Sequence, residues 1–487
     1  MTRLLLLAAV LVLAAGQPTL AQSKPPNVVF MIADDLGWRD LGSYGSTFYQ
    51  TPHLDRLAAS GTRFTSAYSN CQVCSPTRAA AMTGQYPPRT GITDYIGAKQ
   101  PATWTRNTRL LPAPYAMFLD PATPNMAKLF KQAGYATFFC GKWHLGGPSQ
   151  NSTPTDHGFD VNIAGTEGGG PYGKGKYLHP FQLPNLDSKP GDHLPIRLAE
   201  ESIKLMKQAH AQGKPFLLYH AFYSVHTPLV TTNELKAKYE ALAQNVKHDG
   251  PSTKPDSGAM VRQVQDHAVY AGMVEAMDTA AGMMIDAIAQ MGIADNTIII
   301  FTSDNGGLST AEGSPTSNVP LRGGKGWMYE GGIRVPAIVR MPGVTTPGSV
   351  SHVPIATIDY LPTLLAAAGV PLPTSTPIDG VDLRPALSGA ALGDRPLFWH
   401  YPHYGNQGGR PSAAMREGDW KLIEFYEDGR LELYNLAQDI GETENLAQTQ
   451  PQRVEQMHSR LKAWRHEVGA KMPTVNPSHD PSKPLGK

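Results

Sequence analysis

Short uninterrupted apolar runs punctuate the chain at residues 27–33, 135–140, 215–223 and 297–302. They are strand-length and do not alternate with polar residues, so they read as strands of a parallel sheet buried on both faces. Between them the apolar positions recur at helical spacing. Helices are expected over 51–61, 127–134, 198–212, 261–291 and 355–368, with further strands at 62–68 and 333–339. Alternation of the two predicts an α/β fold, a mostly parallel sheet covered by helices. After about residue 385 the pattern changes to short strands at 397–400, 412–416, 420–426 and 431–434, with Asp428-Gly429 as a tight turn. This reads as a small antiparallel sheet, followed by a terminal helix over 452–468.

Residues 93–121 are irregular and look like a surface insertion, and residues 146–190 are loop rich in Gly and Pro. The tail after Met472 is expected to wrap or fray. The N-terminus has one early arginine, a short apolar core and small residues near Ala21, which predicts a signal peptide over 1–21. The catalytic domain is then 22–385 and the C-terminal subdomain 386–487. Export to the periplasm or medium follows, without stable membrane insertion, because the apolar run is too short to span.

Composition narrows the function. The 487 residues carry a formal net charge of +1, which argues against a nucleic-acid surface. Three cysteines, Cys71, Cys74 and Cys140, make no disulfide framework, although Cys71 and Cys140 could pair after export. Polar groups recur where apolar strands end: Asp34 and Asp35, Lys142 and His144, His226, then Asp304 and Asn305. Ligands of open α/β sheets bind at such ends. Asp34, Asp35, Asp304 and Asn305 offer hard oxygens, which suit Ca²⁺ or Mg²⁺ rather than Zn²⁺. Arg78, Lys142, Lys325 and the histidines offer cations and donors for an oxygenated anion. Together they suggest a sulfate or phosphate ester hydrolase.

Cys74-Ser-Pro-Thr-Arg78 stands before an alanine-rich helix ending at Gly84. Cys-x-Pro-x-Arg followed by Thr-Gly resembles the signature of the type I, formylglycine-dependent sulfatases, with Thr77 where many relatives have Ser. Four further elements resemble that family: the run 27–37, Gly141-Lys142-Trp143-His144-Leu145-Gly146, His226-Thr-Pro, and Ser303-Asp304-Asn305-Gly306. The segment from Lys325 to Arg334 is similar to its substrate-lysine element. The resemblance, closest to arylsulfatases and N-acetylgalactosamine-6-sulfatases, implies an alkaline-phosphatase-like fold with a small C-terminal sheet. It implies that a formylglycine-generating enzyme converts Cys74 to 3-oxoalanine, whose hydrate attacks sulfur and then expels sulfate.

It also implies a metal, Ca²⁺ or Mg²⁺, held by Asp34, Asp35, Asp304, Asn305 and position 74. Asp304 is then the expected base for the nucleophile. His226, with Lys325, is the acid for the leaving alcohol, and Arg78, Lys142 and His144 hold the hydrate and the sulfate. Sulfated sugars or polysaccharides, and aryl sulfates, are the implied substrates. Candidate rim residues are Trp38, Arg39, Tyr95, Trp104, His400, His403 and Arg410. Two alternatives stand beside this reading: a formylglycine-dependent phosphonate or phosphate ester hydrolase of the same superfamily, and an inactive carbohydrate-binding homologue.

Overall fold

In the first strand, Asn27–Ala33, every residue is buried, and successive side chains go to opposite faces. Val29, Met31 and Ala33 enter one apolar cluster while Val28, Phe30 and Ile32 enter another. In the computed structural model, which describes residues 24–484 and 486, this strand lies within a nine-stranded sheet. The expected signal peptide lies outside the described residues.

The sheet order is Ser349–Ser351, Thr62–Tyr68, Arg334–Arg340, Thr297–Ser303, Asn27–Ala33, Phe216–Ala221, Ala136–Gly141 and Val161–Ile163, with Ile355–Ala356 added beside Thr62–Tyr68. From Thr297–Ser303 to Val161–Ile163 the strands run parallel, whereas Arg334–Arg340 is antiparallel to both neighbours. Register sets Ala33 beside Ser303 and Gly141 beside Ala221, so the four central strands end in one row. Helices Pro52–Ser60, Leu194–Ala211 and Ala268–Gln290 cover one face. Helices Cys74–Thr83, Met126–Gln132 and Tyr360–Ala368 cover the other. The expected α/β fold is the observed one.

Two helices start later than their periodicity suggests. Ala259–Arg262 pairs with Thr253–Asp256 as a hairpin, and the next helix begins only at Ala268, where the His267 side chain accepts from the Tyr270 N–H. Before Tyr360, Asp359 accepts from the N–H groups of Ala356 and Val381, which turns the chain out of the sheet. All three cysteines are free, and Cys71 and Cys140, which could have paired, sit in different apolar clusters.

The C-terminal sheet has four antiparallel strands, Leu397–Tyr401, Ser412–Glu417, Trp420–Phe425 and Leu431–Asn435. Helix Pro451–Glu467 packs Met457, Leu461 and Trp464 against it. The tail wraps: Thr474–Val475 pairs with Leu110–Leu111, and Asn107 donates to the carbonyls of Asp480 and Pro484.

A buried ionic knot stitches this sheet to the larger one. Lys421 lies 3.0 Å from Glu330 Oε1 and 2.8 Å from Glu442 Oε1. Glu330 Oε2 accepts from Tyr68 at 2.6 Å and meets Arg334 at 3.2 Å. Burial opposes the ionised form of Glu330, yet Lys421, Arg334 and Arg416 hold it down at about 2. Burial pushes Glu442 up to about 7 despite Lys421. Removing the cation leaves Glu442 in the interior without its ion-pair partner and takes one of its cations from Glu330. Lys421→Met is therefore expected to cost about 3–5 kcal/mol in urea unfolding; a loss below about 1 kcal/mol would show that the knot carries little.

Candidate functional site

Helix Cys74–Thr83 is buried along its whole length, and Cys74 is its first residue. The chain enters extended at Val73 and leaves through Gly84, whose φ of +68° suits a residue without Cβ. Thr77 Oγ1 accepts from the Cys71 N–H at 3.0 Å and donates to the Cys71 carbonyl, tying down the turn before the helix. Ser75 accepts from the Ile96 N–H, which anchors the insertion over the same end. Cys74 thus faces a cavity of about 200 Å³ from a rigid support.

Beside it the strand-end carboxylates meet the bases. Lys142 Nζ lies 2.6 Å from Asp34 Oδ2, and Lys325 Nζ lies 2.8 Å from Asp35 Oδ2. Arg78 donates Nε to Asp304 Oδ2 at 2.8 Å and Nη1 to the Lys142 carbonyl, and its Nη2 lies 2.8 Å from the same Asp304 oxygen as an ion pair. Asp304 Oδ1 accepts from the Asp35 N–H. Burial pushes the Asp34 carboxyl well above the usual carboxylate range, only partly opposed by Lys142. Asp35 is as buried, but Lys325 and His226 hold it below that range. Asp35 and His144 both take left-handed backbone, φ +62° and +56°, the kind of local strain that clusters at functional sites.

The donor set fits a hard cation. Oxygen atoms of Asp34 and Asp35 converge with a ring nitrogen of His226 within 4.8 Å of one another. Asp34 Oδ1 and Asn305 Oδ1 are buried without a hydrogen-bond donor. Asn305 is held in that orientation because its Nδ2 donates to Asp35 Oδ1 and the Gly306 carbonyl. Cys74 and Asp304, both expected as ligands, are not part of this convergent group, and His226, expected only as an acid, is.

The two histidines are poised differently. His144 Nε2 lies 2.9 Å from the Ile96 carbonyl and must donate there, so its Nδ1 faces Cys74 Sγ at 3.3 Å as an acceptor. His226 Nδ1 lies 2.6 Å from the Thr227 carbonyl, which leaves Nε2 facing Asp35 Oδ2 at 3.8 Å. Burial, then a neighbouring lysine, drives both well below the ordinary histidine range. Burial also pushes the Cys74 thiol up. A thiol held in that state is a poor thiolate nucleophile.

The sulfatase family model matches residues 26–370, and the model of the N-sulphoglucosamine sulphohydrolase C-terminal region matches residues 324–467. The chain belongs to the sulfatase family. Arylsulfatase A of Homo sapiens is 34% identical over 482 residues, covering 90% of this sulfatase and 85% of the relative. N-acetylgalactosamine-6-sulfatase of Canis lupus familiaris is 33% identical, covering 80% and 70%. Among solved structures, Ps i-CgsB in complex with k-i-k-neocarrahexaose aligns with a TM-score of 0.75 at 28% identity, covering 94% of this sulfatase and 96% of that chain.

The rim of the sulfatase site differs from expectation. Tyr95 lines the cavity, but so do Tyr172, Glu312, Asn406 and Gln407, which carry no pattern in the sequence. Glu312 accepts from Gln407 Nε2 at 2.7 Å, and Asn406 donates to Tyr95 at 2.9 Å. The one signal for them is their glycine-rich surroundings, 168–175 and 405–409. His400 and His403 are buried away from the cavity: His400 bonds Tyr426 and the Lys471 carbonyl, and His403 bonds Thr93. Arg334 reaches the Thr65 carbonyl and Ser66 and packs over Trp38, so both serve the sheet rather than the pocket. Arg39 donates to the carbonyls of Gly45 and Val319. Trp104 packs beside Arg106 and Tyr404, and Arg410 lines a neighbouring cavity.

A divalent cation held by these oxygens would stabilise the folded chain. Raising CaCl₂, or MgCl₂ in parallel, to a hundredfold excess over its Kd is expected to add about 2.7 kcal/mol. Differential scanning fluorimetry should show a rise in midpoint that Asp34→Ala abolishes; equal shifts in both proteins would place the cation elsewhere.

Proposed function

We propose that this sulfatase hydrolyses sulfate esters of sugars, and aryl sulfates with them, at a formylglycine made from Cys74. The observation that supports this most is the setting of Cys74. It is a poor thiolate at the floor of a pocket, yet it is flanked by three cations and two unpartnered hard oxygens. Formylglycine supplies, in its hydrated form, an oxygen nucleophile with a second hydroxyl for release. Ca²⁺, or Mg²⁺, held by Asp34, Asp35, Asp304 and Asn305, would acidify such an oxygen and draw charge from sulfate.

The chain's own residues have separable tasks. His144 Nδ1, already an acceptor beside position 74, takes a proton there. Asp304 has Arg78 on one oxygen and the Asp35 N–H on the other, so it serves better as a ligand than as the base first expected. Lys142 and Lys325 neutralise charge on the sulfate oxygens as the ester bond breaks. His226 presents Nε2 to the leaving alcohol, and the anionic substrate offsets part of the burial that keeps this ring neutral. Lys325 is the second proton source. Burial works against its charge, but Asp35 beside it raises the ammonium above its ordinary value.

A sugar sulfate is supported by the names of the relatives and by the saccharide bound in the similar structure. The first 21 residues support export to the periplasm or medium. Among the described residues no helix is long and apolar enough to cross a membrane. A formylglycine-generating enzyme is the implied maturation partner.

Cys74→Ala is expected to lower turnover of p-nitrophenyl sulfate at least about 10⁴-fold while the unfolding midpoint stays close to wild type. Intact mass of the peptide containing residue 74 should show sulfur replaced by oxygen in the active protein; an unmodified thiol in fully active enzyme would sink the mechanism. p-Nitrophenyl phosphate in the same assay separates sulfate from phosphate ester hydrolysis. His226→Ala is expected to slow alkyl sulfates at least about tenfold more than p-nitrophenyl sulfate, whose leaving group needs little help. Equal losses on both would remove His226 from the acid role.

A further inference from the structure

The catalytic cavity does not end at its rim. Asn406 and Gln407 also line a second cavity of about 290 Å³, and Arg410 lines both this one and a third of about 220 Å³. The three adjoin along the segment 405–410, where three of six residues are glycine and leave the track open.

The wall of the second cavity carries a fixed cation. The Arg106 guanidinium lies 5.0 Å from the Trp104 ring and 5.8 Å from the Tyr404 ring, and those two rings lie 5.8 Å apart. Its Nη1 donates to the Tyr404 carbonyl at 3.1 Å, while its Nε is buried with no acceptor. Among the described residues no carboxylate lies within ion-pair distance of it. The loop that bears it is pinned by the C-terminal tail through Asn107, so Arg106 is held before any ligand arrives. Across the cavity Arg410 is 2.8 Å from Glu427, which also accepts from Tyr404. Arg430 lies over Phe425 in the third cavity. Aromatic faces with guanidinium groups held among them suit sugar rings that carry anions.

We propose that the cavity between Arg106 and Arg410 is a subsite for an anionic neighbouring sugar of the same oligosaccharide whose sulfate ester lies over position 74. This rests on the sugar-sulfate reading above and deepens it: the preferred substrate is a chain with at least one further sulfate or carboxylate, not an isolated monosaccharide. The anion pairs with the Arg106 guanidinium, which lines the cavity without a carboxylate partner, and the open glycine track lets the glycosidic chain pass from one cavity to the next.

The test is calorimetric binding to the full-length Cys74→Ala protein, which does not turn ligand over. The probes are a sulfated ι-carrageenan hexasaccharide, an oligogalacturonate hexamer and neutral maltohexaose. The sulfated probe is expected to bind at least about tenfold tighter than maltohexaose, and adding Arg106→Gln should weaken it about tenfold and make its salt dependence shallower. Arg410→Gln, at a half-exposed side chain, gives the same readout should Arg106→Gln fail to fold. Galacturonate binding that falls in the same way would make carboxylate, as well as sulfate, the recognised group. Affinity and salt slope unchanged by both variants, or no preference for an anionic probe over maltohexaose, would overturn the subsite. Turnover of p-nitrophenyl sulfate by the unmutated protein is read separately; its absence would overturn the sulfatase mechanism and leave the binding result to stand by itself.

Discussion

A carboxylate at the end of a strand buried on both faces has to meet a cation, and three do so here within a few ångströms of one another. Lys142 answers Asp34, Lys325 answers Asp35, and Arg78 answers Asp304. Each cation comes from a different part of the chain: the signature helix, the exit of Ala136–Gly141, and the loop before Glu330. The pairing therefore fixes where helix, strand and loop sit relative to one another. Breaking any one pair leaves an unpaired buried charge, so the geometry of the site and the stability of the strand ends cannot be altered separately.

How far the sequence reveals this depends on what holds each part. Strands buried on both faces are legible because their residues are almost all apolar, and Asp34, Asp35, Lys142, His144, Asp304 and Asn305 are legible because they fall where those runs stop. The hairpin before Ala268 is not, since Thr253–Asp256 and Ala259–Arg262 lie at the surface and follow no hydrophobic period. The rim is illegible for a similar reason. Tyr172, Glu312 and Gln407 are brought together by three loops far apart in the chain, each shaped by glycine and backbone contacts. His400 and His403 have the residue types of a binding surface, but their strand end packs inward, His400 against Tyr426 and the Lys471 carbonyl and His403 against Thr93 of the insertion.

The inner and outer parts of the site thus differ in construction. The inner part stands on strand ends and one buried helix. The outer part is assembled from the insertion, the segment 404–410 and the C-terminal tail, which brace one another through Leu110–Leu111 and Asn107. The first can keep one reaction constant while the second changes in shape and charge. The small C-terminal sheet is accordingly part of the recognition surface as well as a cover, and the Lys421 knot is what keeps that surface in register with the chemistry.

Burial of the signature helix bears on when this protein becomes an enzyme. Cys74 is 3% exposed, and all ten residues of its helix are buried in the folded chain. A modifying enzyme has to grip several residues around its target in extended form, and here that would mean pulling a helix out of the core. The proposed conversion at position 74 would therefore fall on the nascent or not yet folded chain. On that reading a molecule that folded unconverted would keep its fold and lack the proposed nucleophile. Yield of soluble protein and yield of working catalyst are then independent quantities for this chain, and a host without the maturation step would supply the first without the second.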